Sequence, residues 1–382
     1  MSFLLLLTFL NLVFGSIVSK RSFDAKFAYT SVLSTTWSTF WHNEYQAFDL
    51  NDPSCNPNFS YAAVWDVAVA GKAIVDSGDV QKTTQVINSL YKFQNSEGWF
   101  TSSPGGSDIY TDDNSQVLWV FLDAYKLTQK EAYLNTAVNL MHLIQTQWSQ
   151  IGGITWQKDA TYVASISTTE AALSAVKVYE YNNDKTLLTF ANSCLTWLDE
   201  HLTDPSDGFY YDGINKDTWQ VNKGKLTYTV GTAISTYSYL YKFTGDATYL
   251  KKATKMASAT LSSSTFLNNN GAWNNDLCYV HLLFCGFADL ITIGGKTSYT
   301  SALVDQANFI YLFDKLDSGD YSLYTKAQSL YEQYVKITGD SKSVNYNYNP
   351  DNFCNGDVNK PRKSVLDDGS AAQIFYSVVR VS

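Results

Sequence analysis

The chain has 382 residues, 45% of them hydrophobic and 16% charged, which supplies a large core and excludes a disordered polar chain. A net charge of −9 leaves no basic stripe to neutralise phosphates, so no nucleic-acid partner is expected. The aromatic share is 15%, with 10 Trp and 27 Tyr; most of these rings are expected in the core, and a surplus on loops would suit a carbohydrate groove, because ring faces stack on the C–H faces of sugars.

In chain order, MSFLLLLTFLNLVFG (1–15) is an apolar run ending in small residues, read as a signal peptide cleaved after Gly15. Lys20-Arg21 is a dibasic pair, so residues 1–21 are expected to be removed and Ser22 to begin a mature domain over 22–382. A secreted, extracellular protein is the expectation. No later run is long and apolar enough to span a bilayer, and the C-terminal FYSVVRVS carries no apolar tail, so no membrane anchor is expected. Asn58-Phe59-Ser60 is a glycosylation sequon.

Five cysteines cannot all pair. Cys278 and Cys285 are two helical turns apart, too far to bridge within one straight helix, whereas Cys55 and Cys354 both sit in polar loops and are the expected disulfide. His42, His142, His201 and His281 have no ligand-set spacing and there is no CxxC, so neither a metal nor a cofactor is expected.

An internal repeat organises the chain. AYKLTQKEAYLNTA (124–137), VYEYNNDKTLLTFA (178–191) and LYKFTGDATYLKKA (240–253) each read as a helix end, a polar turn and the start of another helix. Fainter copies stand at 74–80 and 337–340. Gly or Asn supplies the left-handed end and Asp or Thr caps the next helix. Ala253, Met256, Ala257 and Leu261 stand at helical spacing. Strand signals are short: GGITW (152–156) and FYYDG (209–213) predict loop strands at one rim. Two helices per period of 50 to 60 residues predict an all-α fold, an (α/α)6 barrel of six helical hairpins in a single domain.

Between the repeats lie stretches rich in Gly, Ser, Asn, Trp and Tyr: 95–111, 149–166, 203–228 and 262–281. In a helical ring they gather at one end. This places Trp99, Tyr110, Trp156, Tyr162, Asp212, Tyr228 and Trp273 near one face, with Trp65 from an early inner helix either flooring the cleft or packing as a core ring. Asp212 precedes Gly213, so it reads equally as a hydroxyl-binding group or a turn residue. Glu170 lies on an apolar helix and needs a partner; it reads either as a group supporting the site residues from behind or, more simply, as a structural hydrogen bond. Asp112 and Asp113 stand at the mouth of an apolar helix. Taken alone, they read as a cap or as first-turn acids matched to the helix dipole.

Four ordered blocks change that balance. TDDNSQVLWVFLDAYKLT (111–128), GGITW with Tyr162 and SISTTEAALSAVKVYE (165–180), GFYYDGI (208–214) and LTYTVGTAISTYSYLYKFTGDATYL (226–250) together resemble glycoside hydrolase family 76, the α-1,6-mannanases. The resemblance implies a retaining endo-α-1,6-mannosidase acting on α-mannan, with Asp112 as nucleophile and Asp113 as general acid/base. Trp65, Trp99, Tyr110, Trp156, Tyr162, Asp212, Tyr228 and Trp273 are the expected substrate-binding residues. The chain departs from the family pattern at Gln116 and Val117, where bulky aromatics are usual, and at Thr229 and Val230, where Asn-Gln is usual. A cell-wall transglycosidase and a non-catalytic mannan-binding protein are the alternatives, and a monomer is expected.

Overall fold

The computed structural model describes residues 23–322, 328–341 and 349–382. The leader, the Lys20-Arg21 pair and Ser22 lie outside the described residues. Within them run helices α1 (Ala25–Phe40), α2 (Val64–Asp76), α3 (Val80–Leu90), α4 (Thr111–Thr128), α5 (Glu131–Gln145), α6 (Ser165–Asn182) and α7 (Lys185–His201). They continue with α8 (Thr227–Thr244), α9 (Ala247–Thr260), α10 (Leu277–Thr292), α11 (Thr300–Phe313), α12 (Gln328–Thr338) and α13 (Val365–Val379).

Helices α2, α4, α6, α8, α10 and α13 form the inner ring. Each packs on the next, and α13 returns to α2, so the ring closes. This is the (α/α)6 barrel. Five hairpins are consecutive in the chain. The sixth is not: outer α1 packs against inner α13, joining the two ends of the described chain, and α12 is an extra helix resting on α11.

The division between inner and outer helices follows from composition. Outer α9 buries Ala253, Met256, Ala257 and Thr260, a single stripe at spacings of three and four. Inner α6 is buried nearly all round from Ser165 to Val176, and those residues are mostly Ser, Thr and Ala. Small side chains let six helices approach a common axis. Several of the hydroxyls bond the preceding turn, as Thr168 Oγ1 does to Ala164 O (2.8 Å) and, on α8, Thr236 Oγ1 to Thr232 O (2.8 Å), while Ser167 Oγ is buried without a partner among the described residues. The closest approach is between α8 and α10, where Gly231 and Gly286 let two backbones touch.

The turns read at 74–80, 124–137, 178–191 and 240–253 each join two consecutive helices, whereas the copy at 337–340 closes the extra helix α12 at Gly339 (φ 71°) and no helix starts directly after it among the described residues. Asn183 (φ 56°) and Gly245 (φ 72°) end α6 and α8 in the left-handed conformation, and Asp184 and Asp246 cap α7 and α9 by accepting from Thr186 N and Thr248 N. In the first repeat Gln129 takes the left-handed position instead. The strands fall a few residues beyond their predicted places: β3 (Tyr162–Ala164), β4 (Gly213–Asn215) and β5 (Val221–Asn222) make a small antiparallel sheet, while GGITW contributes only isolated bridges. A two-residue hairpin pair, β1 (Trp41–His42) with β2 (Ala47–Phe48), follows α1. Cys55 and Cys354 form a disulfide, and Cys278 and Cys285 both lie on α10 without bridging each other.

One device recurs at the end of the ring where the inner helices begin. The first backbone N–H of an inner helix has no partner within its own helix. Here it donates to the loop leading into the next inner helix: Val64 N to Ser102 O (3.0 Å), Thr111 N to Trp156 O (2.8 Å), Ser165 N to Asp212 O (2.8 Å) and Thr227 N to Asn275 Oδ1 (2.8 Å). Four loops are thereby stitched in sequence around one mouth.

Candidate active site

That mouth holds a cleft of about 280 Å³ lined by Trp65, Tyr110, Asp112, Asp113, Gln116, Trp156, Ile166, Glu170, Tyr228 and Tyr279. Most of these occupy equivalent places. Trp65, Asp112, Ile166 and Tyr228 are each the second residue of an inner helix, and Asp113 and Tyr279 are each the third. Gln116 and Glu170 are the sixth residues of α4 and α6, one turn deeper on the same face as Asp112 and Ile166. The cleft is therefore a two-tiered floor made by helix N-termini, closed at the side by Tyr110 and Trp156.

Of the two plain readings of the aspartates, cap or first-turn acids, the structure bears out the second. The N-cap of α4 is Tyr110, which makes no side-chain cap, and Asp112 and Asp113 lie inside the first turn. Their environments differ. Asp112 accepts from the Trp156 indole (Nε1 to Oδ2, 3.0 Å) and from Asp113 N (Oδ1, 3.2 Å). Burial pushes its pKa up to about 6; those hydrogen bonds hold it down, and nearby Asp212 raises it again. Asp113 receives no side-chain or backbone donor among the described residues. Burial, then the charges of Asp112 and Asp66, push its pKa well above the usual carboxylate range. Of the two, Asp112 surrenders its proton first.

The frame around the pair is rigid. Asn114 is fully buried and bonds Phe100 at both N and O (2.9 Å each) and Tyr110 O (2.7 Å), fixing the loop before α4. Trp156 is anchored by its carbonyl on Thr111 N and by its ring against Tyr110, with centroids 4.9 Å apart. On the opposite wall the Trp65 and Tyr279 rings lie near parallel at 6.4 Å, and Tyr228 meets Tyr279 edge-on at 5.1 Å.

Four of the eight expected substrate-binding residues line the cleft: Trp65, Tyr110, Trp156 and Tyr228. Tyr162 and Asp212 stand behind it. The Tyr162 hydroxyl donates to Asp212 Oδ2, which also accepts from Asn222 Nδ2 at 2.8 Å, and Asp212 reaches the site through its charge on Asp112. Trp99 and Trp273 are not brought to the cleft. Trp99 is a fully buried core ring, and Trp273 packs on Phe284 and Phe287 with its indole on Thr260 O (3.3 Å). From the sequence Tyr279 and Ile166 carry no assigned role, and Asp66 reads only, with Trp65, as the start of an early inner helix. Asp66, the third residue of α2, is buried, accepts from Ala63 N (3.2 Å), and acts on Asp113 by charge. The position of a residue within the first turns of an inner helix is the signal that would have found all three.

The geometry has parallels. The sequence matches the profile of glycosyl hydrolase family 76 over residues 25–307. It is 30% identical over 203 residues to the meiotically up-regulated gene 191 protein of Schizosaccharomyces pombe, an alignment covering 46% of this chain and 46% of that protein, so the match spans about half of each. Among solved structures, a GH76 α-mannanase of Bacteroides thetaiotaomicron superposes with a TM-score of 0.77 at 18% identity, covering 96% of this chain and 98% of that one. An inactive variant of a Salegentibacter α-1,6-mannanase, with two consecutive aspartates replaced by alanine and α-1,6-mannotetraose bound, superposes at 0.74 with 18% identity, covering 94% and 100%. Dfg5 of Chaetomium thermophilum, in complex with glucosamine, superposes at 0.66 with 13% identity, covering 91% and 90%. These structures share the fold, and the sequence match extends over most of the barrel: the chain belongs to glycosyl hydrolase family 76.

Proposed function

We propose that this glycoside hydrolase is a secreted retaining endo-α-1,6-mannosidase acting on α-1,6-linked mannan. The observation that carries the reading is the unequal pair of neighbouring carboxylates, Asp112 and Asp113, on the floor of an aromatic-walled cleft. A retaining glycosidase needs one ionised carboxylate and one protonated carboxyl flanking the scissile bond. Asp112, held by an indole N–H and a first-turn amide at a helix N-terminus, is the group suited to carry charge. Asp113, beside other acids and without donors among the described residues, is the group suited to keep its proton.

In the first half-reaction Asp112 attacks the anomeric carbon while Asp113 gives its proton to the departing glycosidic oxygen. The C–O bond breaks and a mannosyl ester on Asp112 forms. In the second, Asp113, now a carboxylate, takes a proton from water. The water oxygen displaces Asp112 and both groups return to their starting states. An alcohol of a second sugar could replace that water, which makes transfer the competing outcome.

Three observations support the substrate and the location. The lining is acidic and aromatic, which favours a neutral sugar over an anionic one. The Salegentibacter relative, inactivated at two consecutive aspartates, holds an α-1,6-mannooligosaccharide. The Cys55–Cys354 disulfide and the exposed Asn58 sequon fit passage through an oxidising secretory route. The test is incubation with linear α-1,6-mannooligosaccharides and product analysis. Shorter products that retain anomeric configuration support hydrolysis, and longer ones indicate transfer. Full activity after Asp112→Asn or Asp113→Asn would remove the pair from the chemistry.

A further inference from the structure

One turn beneath Asp112 the floor of the cleft is polar where an apolar floor would be cheaper. Gln116 of α4 donates from Nε2 to Oε1 of Glu170 on α6 at 3.0 Å. Both residues line the cleft; Glu170 is fully buried and Gln116 nearly so. Glu170 Oε2 is sealed from solvent without a hydrogen-bond partner among the described residues. An acid left half-satisfied in this way is disfavoured relative to an apolar side chain of similar shape. Such a cost, set against the reacting carboxylates, calls for a function.

The chemistry of the pair is directional. Burial, and then the charge of Asp112, keep Glu170 well above the usual carboxylate range, so it is a neutral acid. A neutral carboxyl offers its carbonyl oxygen to the Gln116 amide N–H and carries its proton on the other oxygen. Once Gln116 Nε2 is committed to Glu170, the amide plane is set and its Oε1 is left for the cleft. A carbonyl oxygen in that place accepts a hydroxyl hydrogen. The backbone of Gln116 lies four residues, about 6 Å of helical rise, below that of Asp112.

Resting on the mannosidase reading above, we propose that Gln116 is a substrate-binding residue that accepts a hydrogen bond from one ring hydroxyl of the sugar seated over Asp112. Glu170 is its positioning residue, which fixes the amide in the accepting orientation. Gln116 thereby contributes to which sugar the site takes. The departure from the aromatic pattern at this position is a change of recognition, with the catalytic pair left in place.

The experiment uses aryl α-1,6-mannobiosides, the parent and three analogues each lacking the hydroxyl at C2, C3 or C4 of the ring that bears the aryl group. kcat and KM are measured for the wild type, Gln116→Leu, Glu170→Leu and Glu170→Gln, with Tm for each. Gln116→Leu should lose roughly 10- to 100-fold in kcat/KM on the parent, the size of one buried hydrogen bond to a neutral group. On one deoxy analogue it should lose almost nothing, because the wild type has already lost that factor there. Glu170→Leu should show the same substrate pattern with Tm unchanged or raised, and Glu170→Gln should stay close to wild type. An equal loss on all four substrates, or none on any, overturns the assignment while leaving the mannosidase reading intact. A wild type inactive on the parent overturns the reading and this inference with it.

Discussion

The indole Nε1 of Trp156 stands 3.0 Å from Asp112 Oδ2, although Trp156 belongs to the loop that leads into the next inner helix. The same residue's carbonyl holds Thr111 N, so one loop residue fixes both the start of α4 and the ionisation of its first acid. Trp156→Phe keeps the carbonyl and the ring against Tyr110 but deletes the donor. A hydrogen bond to a charged group is worth about 1.5–3 kcal/mol when buried, and Trp156 is 42% exposed, so a loss of about 1 kcal/mol, or roughly fivefold in kcat/KM, is expected. The direction in pH is fixed. The indole lowers the Asp112 pKa, and its removal moves the acid limb of the pH–kcat/KM profile upward from about 6. A limb that stays in place would show that Asp112 is not the group titrating there.

Asp113 makes a separate claim, because its role depends on the leaving group. Natural mannan has a poor leaving oxygen that must be protonated, whereas a nitrophenolate does not. Asp113→Asn should cost about 10²–10⁴-fold on mannooligosaccharides and far less in the first step on a nitrophenyl α-mannoside. The alkaline limb set by this raised carboxyl should disappear as well. Asp112→Asn should abolish turnover of both substrates. Equal losses in the two variants on both substrates would show that the roles are not divided in this way.

Packing makes a prediction at the tightest seam of the ring. A Cβ on Gly231 would stand 2.1 Å from Leu282 O, and one on Gly286 would stand 2.4 Å from Gly231 O. Both obstacles are backbone, so no rotamer change relieves them. Gly231→Ala should therefore cost at least ~3 kcal/mol, at the upper end for overpacking, by prising α8 from α10. Chemical denaturation of the variant checks this, and a loss below 1 kcal/mol would mean that the two helices can slide apart freely.

What could be read from the sequence follows from how local each feature is. The turns at Asn183-Asp184 and Gly245-Asp246 carry their own caps within two residues, so four consecutive hairpins, α2–α3 to α8–α9, are legible; the α10–α11 turn at 293–299 carries no such pattern, and the copy read at 337–340 closes the extra helix α12 instead. The sixth hairpin is not legible either, because α1 and α13 come from opposite ends of the chain and no local pattern pairs them. The site divides similarly. Asp112 and Asp113 sit in a contiguous motif. The cleft is completed by single residues from several inner helices, and Tyr279 has no neighbour in sequence to mark it. Trp99 and Trp273 show the reverse error: loops of one composition send some rings into the cleft and others into the core, and composition does not distinguish them.

Asp66 links the site to stability. Burial raises its pKa from an ordinary carboxylate value to about 7, against a single opposing hydrogen bond from Ala63 N. The folded chain then holds a proton that the unfolded chain has released between about pH 4 and 7. With more protons bound in the folded state, stability falls as pH rises through that window, by up to ~1.4 kcal/mol per pH unit from this group, and levels off above it. Asp66→Asn retains an oxygen for Ala63 N and removes the titration. Its Tm should equal the wild-type value near pH 4 and exceed it increasingly towards pH 7.5, measured in a series of buffers at fixed ionic strength. The same substitution removes a negative charge felt by Asp113, so the alkaline limb of activity should move to lower pH, because Asp113 then gives up its proton more readily. A variant more stable than wild type at pH 4, or less stable at pH 7.5, would show that Asp66 is not held as a buried neutral acid.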